Sequence, residues 1–135
     1  MTGNKAVNDL DDSEALQWTS FGGPPDQADG LLVMVLNGVK TASCWDARHG
    51  QMTHVGKRLV LCDSVGRPRA VVETLSLERR RYCDVDEAFA RLEGEGDLSL
   101  AWWRLAHRTF FEGEGAFAED MELWCERFRL VRTLP

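Results

Sequence analysis

The stretch Asn37-Gly38-Val39-Lys40-Thr41-Ala42-Ser43-Cys44-Trp45 marks where the chain changes from one kind of structure to another. Before it, Ala28, Leu31, Leu32, Val35 and Leu36 recur at i, i+3, i+4, i+7 and i+8, which is one apolar face of a helix. Pro25 suits the first turn of that helix and Asn37-Gly38 ends it. After it, Thr41 to Trp45 reads as a short strand. Lys40 and Ser43 therefore follow a helix C-terminus, where the helix dipole favours a cation.

Working outward, Arg58 to Cys62 and Arg69 to Leu77 read as strands, with Asp63 to Arg67 as the turn of an antiparallel hairpin. Asp46 to Val55 is an irregular polar loop. Asp84 to Leu92 carries Val85, Ala88, Phe89 and Leu92 at helical spacing. The acidic turn Glu93-Gly94-Glu95-Gly96-Asp97 follows, and Asp97 or Ser99 can cap the next helix. The stripe expected on that helix is Trp102, Leu105, Ala106, Thr109 and Phe110, with Gly113 and Gly115 as its stop. Phe117 to Met121 connects to a long last strand, Glu122 to Leu134. Upstream, residues 1–10 read as a flexible arm, Asp12 or Ser13 can cap a short helix leading to Trp18, and Phe21 to Pro25 is a turn. The expectation is one α+β domain over 11–135, a small mixed sheet or barrel closed by the last strand.

The chain has 135 residues, 44% hydrophobic and 28% charged, enough for one domain with a real core. No apolar run reaches the ~18 residues of a membrane span, and the polar start predicts no secretory signal, so a cytoplasmic protein with no membrane partner is expected. Cys44, Cys62, Cys83 and Cys125 lack zinc-type spacing and read as small hydrophobes. The net charge of −6 disfavours tight non-specific nucleic-acid binding. Residues 57–81 nonetheless hold seven bases against three acids, which reads as either a basic face or a solvated strand surface.

Lys40, if buried, is a base or a phosphate-binding cation, and Ser43 beside it is a candidate nucleophile. Cys44 is the rival nucleophile, set aside because strand alternation turns it away from Ser43. Capping accounts for Glu95 and Asp97. Glu93, on the exit of a helix, is the carboxylate least explained by capping and the best acid/base candidate. The carboxylates of 93–97 also suit a divalent metal. Arg104 and His107, one turn apart, can hold phosphate or polarise a substrate group, although a structural role for His107 stays open. Trp45 can stack a base. His49 and His54 receive no role.

Taken in order, Phe21-Gly22, Gly38-x-Lys40-Thr41-Ala42-Ser43-Cys44, Val72-Glu73-Thr74, Glu93-Gly94-Glu95-Gly96-Asp97-x-Ser99, Trp103-Arg104-x-x-His107-x-x-Phe110-Phe111 and Cys125-Glu126-Arg127-Phe128 resemble the ASCH domain family, related to PUA RNA-binding domains. The resemblance runs from about Trp18 to Val131 and is closest to the longer bacterial branch. It implies a PUA-like β-barrel with flanking helices and RNA or a nucleoside as partner. Some relatives cleave RNA with a divalent metal, so manganese or magnesium is the cofactor implied for a nuclease. Shorter relatives hydrolyse the acetyl amide of acetylated cytidine with a lysine, a threonine three residues on and a glutamate. Carried over, these are Lys40, Ser43 and Glu93, with Ser43 replacing the usual threonine and Trp45 standing where many longer relatives have serine. The resemblance thus implies an RNA- or nucleoside-directed hydrolase, with a non-catalytic RNA- or nucleotide-binding module as the alternative.

Overall fold

The structure, a computed structural model, describes residues 16–135, so the expected arm and the expected cap at Asp12 or Ser13 lie outside it. Five strands form one mixed sheet: β1 (Gln17–Thr19), β2 (Ala42–Asp46), β3 (Arg58–Cys62), β4 (Pro68–Arg81) and β5 (Glu122–Thr133), in the spatial order β1-β3-β4-β5-β2. Only the β1–β3 pair is parallel. Among the described residues three α-helices flank the sheet: α1 (Pro25–Leu36), α2 (Glu87–Glu93) and α3 (Leu100–Gly113). The α+β class and mixed sheet are as expected, but β5 does not close a barrel. It lies inside the sheet, between β4 and β2, and the order is open, with β1 and β2 at its edges. Trp18 lies on a strand rather than at the end of a helix, paired to Val60.

Each helix follows local rules. α1 begins at Pro25 and buries Ala28, Leu32 and Val35. Gly38, at φ 78°, turns the chain out of it, and the N–H groups of Val39 and Lys40 both donate to the Met34 carbonyl. α2 is capped by Asp86, which accepts from the Phe89 N–H, and ends at the left-handed Gly94. Ser99 caps α3 by accepting from the Trp102 N–H, and Asp97 supports it by accepting from the Ser99 N–H.

The stripe expected on α3 is displaced by one residue. Trp103 and Phe111 are buried, whereas Leu105 is 67% exposed and Phe110 51%. A histidine sits between the two buried aromatics at i+4, so hydropathy alone rates the true inward face as the poorer one. One core joins Trp103 and Phe111 to Tyr82, Val85, Phe89, Ala42, Leu123 and Cys125. A second packs Leu32 and Val35 of α1 on Leu59, Leu61, Val72 and Phe128. β4 runs through Arg81, past the expected end at Leu77, because β5 pairs with it along that whole length. Its arginines are ion-paired along the strand: Arg79 with Glu122, Arg80 with Glu78 and Asp86, and Arg81 with Asp84. The basic run is therefore a solvated, neutralised strand surface. No described helix is long and apolar enough to cross a membrane.

Two contacts dock the Lys40 segment on the end of α2. The Thr41 N–H donates to the Leu92 carbonyl at 2.8 Å, and Gly94 lies so close to Val39 that a Cβ there would stand 2.5 Å from the Val39 carbonyl oxygen. Gly94→Ala therefore combines left-handed strain with a backbone clash, and urea unfolding should show a loss of at least about 2 kcal/mol. Gly113→Ala, with open space at its Cβ and no positive φ, should change stability by under about 1 kcal/mol.

Candidate functional site

The docking of 39–41 on 92–94 brings Lys40 and Glu93 together. Both are 2% exposed. Lys40 Nζ lies 3.3 Å from Glu93 Oε1, 3.3 Å from the Glu93 carbonyl and 2.9 Å from Glu95 Oε2, with the Phe21 ring centroid 5.7 Å away. Glu93 Oε2 accepts from the Trp103 indole N–H and from the Cys44 thiol, and His107 Nε2 stands 3.4 Å from it. His107 Nδ1 is 2.9 Å from the Trp103 carbonyl, an acceptor that requires the proton on Nδ1. The imidazole stacks on the Trp103 ring, centroids 4.1 Å apart.

This network sets the charges. Burial alone raises a carboxyl pKa, but the Lys40 ammonium and the His107 and Trp103 donors overcome it and bring Glu93 down to about 2. Burial opposes the charge on Lys40, yet Glu93 and Glu95 raise its pKa above the usual lysine value. His107 is likewise raised against burial, by Glu93. Burial, reinforced by Glu93, pushes the Cys44 thiol well above its usual range, so it is a protonated donor. Lys40 is thus a fixed cation and not a lysine poised as a base. The turn carboxylates are all engaged, Glu93 and Glu95 by Lys40 and Asp97 by Ser99. Ligand atoms of Cys44, Glu93 and His107 lie within 4.8 Å of one another, the donor set a metal would use, but the Lys40 ammonium and the Trp103 N–H already hold that carboxylate.

Beside the network a cavity of about 340 Å³ opens between the sheet and the end of α3. Ser43, Cys44 and Trp45 of β2 form one wall; Phe21, Phe110 and Phe111 form another; Leu59, Leu61, Val72 and Phe128 line its apolar side. Lys40, Glu93 and His107 do not line it, whereas Phe21, Cys44 and Phe111, each in contact with that network, do. Ser43 faces the cavity, and among the described residues no hydrogen bond joins it to Lys40 or Glu93. Trp45 is fixed on the wall by its indole N–H on the Gly50 carbonyl at 2.9 Å. Arg104 is elsewhere: exposed, on the far side of α3, with its carbonyl accepting from Tyr82 at 2.6 Å. One position along a helix is a rotation of about 100°, so the face that carries Trp103 and His107 turns Arg104 outward.

Glu126 is the site residue that sequence reasoning missed. It is 7% exposed, lines the cavity, and is the β5 register partner of Ser43. Thr74 Oγ1 donates to its Oε2 at 2.6 Å and lies 2.7 Å from Thr53 Oγ1. A bulge between Thr74 and Ser76 aims that threonine. Burial raises the Glu126 pKa despite the Thr74 hydrogen bond. The available sign was strand alternation: Trp124, Glu126 and Phe128 share one face by period two, which puts a carboxylate where an apolar side chain belongs.

The sequence model of the ASCH domain matches residues 17–132. The chain belongs to the ASCH domain family. Among solved structures it is similar to the ASCH domain from Lactobacillus crispatus JV V101, at 35% identity and TM-score 0.77, covering 92% of this chain and 84% of that one. It is also similar to a protein from Enterococcus faecalis V583, at 28% identity and TM-score 0.78, covering 98% and 91%. No curated protein matches it. This ASCH domain therefore has an ion-paired core segment and, next to it, a separate open cavity.

Two outcomes test the network. Glu93→Gln leaves the Lys40 cation with Glu95 alone and should cost about 3–5 kcal/mol in urea unfolding, whereas Lys40→Met combined with Glu93→Leu should cost less than the sum of the two single changes. The folded pKa of Glu93 lies below its unfolded value, so its contribution is full above about pH 4.5 and fades as pH falls towards about 2. His107 has the opposite sign: its contribution is full below about pH 6.5 and fades as pH rises through its raised folded value. Unfolding followed across pH should show both flanks, and Glu93→Gln should remove the acid one and return the His107 NMR titration towards 6.5 or below.

Proposed function

We propose that this ASCH domain recognises a single unphosphorylated nucleoside, free or at an unpaired position in RNA, in the cavity beside Trp45. The observation that carries the reading is the lining. The volume of about 340 Å³ is at the lower end of small-molecule sites, ~300–1,000 Å³. Aromatic rings at Phe21, Trp45, Phe110, Phe111 and Phe128 suit a flat base, with Ser43, Thr53 and Glu126 as polar points. Its charged lining residues are Asp46, Glu114 and Glu126, with no lysine or arginine among the described ones. Phosphate is disfavoured there, and the paired arginines of β4 supply no free track for a long backbone. Four free thiols suit a reducing compartment such as the cytoplasm.

A second reading, hydrolysis of an acylated nucleoside, is favoured by the Ser43 hydroxyl on the cavity wall, opposite Glu126. There Ser43 would attack the amide carbonyl as Glu126 takes its proton and returns it to the departing amine, water then releasing the acyl group. Lys40, held protonated behind the wall, would favour the developing oxyanion. RNA cleavage through a metal has less support, because the carboxylates of 93–97 are engaged.

Calorimetry with cytidine, adenosine and their 5′-monophosphates should show nucleoside binding and at least about tenfold weaker binding of each monophosphate; monophosphates that bind equally or more tightly would refute the reading. Turnover of acetylated cytidine, lost in Ser43→Ala, would establish the hydrolytic version. Cleavage of a short RNA only with manganese present would favour the nuclease instead.

A further inference from the structure

Glu126 is a buried carboxylate with no ion-pair partner among the described residues. Its one hydrogen-bond donor among the described residues is Thr74, on Oε2. Thr74 spends its single proton on that contact, so Thr53 must be the donor in the Thr53–Thr74 pair. Both hydroxyl protons are used, and Oε1 has no hydrogen-bond partner among the described residues. Lys40, the nearby cation, is taken by Glu93 and Glu95. Burial makes an ionised carboxylate costly and raises the Glu126 pKa, against the Thr74 hydrogen bond and the Lys40 charge.

The surroundings share this sign. Glu114 also lines the cavity, and Phe110, Phe111 and Glu114 bring the C-terminal, negative end of α3 to it, whereas the Asp46 carboxylate on the lining is neutralised by Arg48. The faces of Trp45 and the phenylalanines carry the negative end of the ring quadrupole. An acidic group at the bottom of an aromatic-walled cavity is how proteins hold a delocalised organic cation.

Resting on the nucleoside reading above, we propose that the preferred ligand is a nucleoside whose base carries a positive charge, as ring N-methylation of adenine or cytosine produces, and that Glu126 is the residue that selects it. The cationic ring stacks on Trp45, and the N–H beside its charge donates to Glu126 Oε1, which supplies the missing counter-ion. A neutral base offers the stacking surface but leaves the buried charge uncompensated.

The test is calorimetry on the full chain at neutral pH with adenosine, 1-methyladenosine, cytidine and 3-methylcytidine, each methylated base being cationic there. The expected result is at least about tenfold tighter binding of each methylated nucleoside than of its parent. Glu126→Gln keeps the shape and the acceptor for Thr74 but removes the charge, so the ratio of methylated to parent affinity should fall to about one, whatever the change in parent affinity. Equal affinities in the unmodified chain, or a preference that survives Glu126→Gln, overturn the proposal while leaving nucleoside recognition intact. Failure of all four nucleosides to bind overturns both. Should Glu126→Gln fail to fold, Trp45→Leu carries the test, because loss of the ring must weaken the methylated nucleosides more than the parents; equal weakening overturns the proposal.

Discussion

A buried ammonium and a buried carboxylate, 53 residues apart in sequence, tie this structure together. Neither Lys40 nor Glu93 is stable alone in the interior, since removal of a charge from water costs several kcal/mol per ion. Together they are stable only if the remaining donors and acceptors are met, and here they are. Glu95 and the Glu93 carbonyl complete Lys40, while Trp103, Cys44 and His107 complete Glu93. The elements that must therefore meet are the exit of α1, the start of β2, the end of α2 and the inward face of α3. The glycines at 38 and 94, both left-handed, let two chain reversals approach closely enough for the pair to form.

That requirement also shapes the cavity. Phe21 lies against Lys40, Cys44 donates to Glu93 and Phe111 lies beside His107, and all three also line the cavity, so the charged network and the cavity share these side chains. The hydroxyl of Ser43 and the carboxyl of Glu126 face the open side, paired across β2 and β5. Two polar centres thus lie close together with different environments. One is saturated and holds its charges; the other has an unused oxygen and a raised pKa. A site that must accept a ligand needs the second kind, because saturated groups have nothing left to exchange.

Much of the architecture was legible along the chain. The bounds of β3 and the end of α1 at Asn37-Gly38 follow from apolar periodicity and from residues that terminate elements. Lys40 stood out as a lysine three residues before a serine just past a helix end, and Glu93 as the carboxylate least explained by capping. The face of α3 was misjudged because a histidine occupies an inward position, and only a buried glutamate on another helix makes it welcome there. Arg104 looked equivalent to His107 by spacing, yet it lies about 100° round the helix, in solvent. The basic run at 79–81 read equally as a binding face or a solvated surface until β5 and neighbouring segments supplied its acids.

From α1 onward, the sequence by itself determined the order of helices and strands, most of the breaks between them and the two residues at the centre of the fold. These depend on interactions within a few residues, which a linear pattern records. Tertiary structure alone decided that Lys40 is a fixed cation and not a base, that Ser43 faces a cavity that Lys40 and Glu93 do not line, and that Glu126 is a buried acid with no ion-pair partner among the described residues. Charge state and exposure in an interior are set by what lies within a few ångströms, and those neighbours come from parts of the chain dozens of residues away.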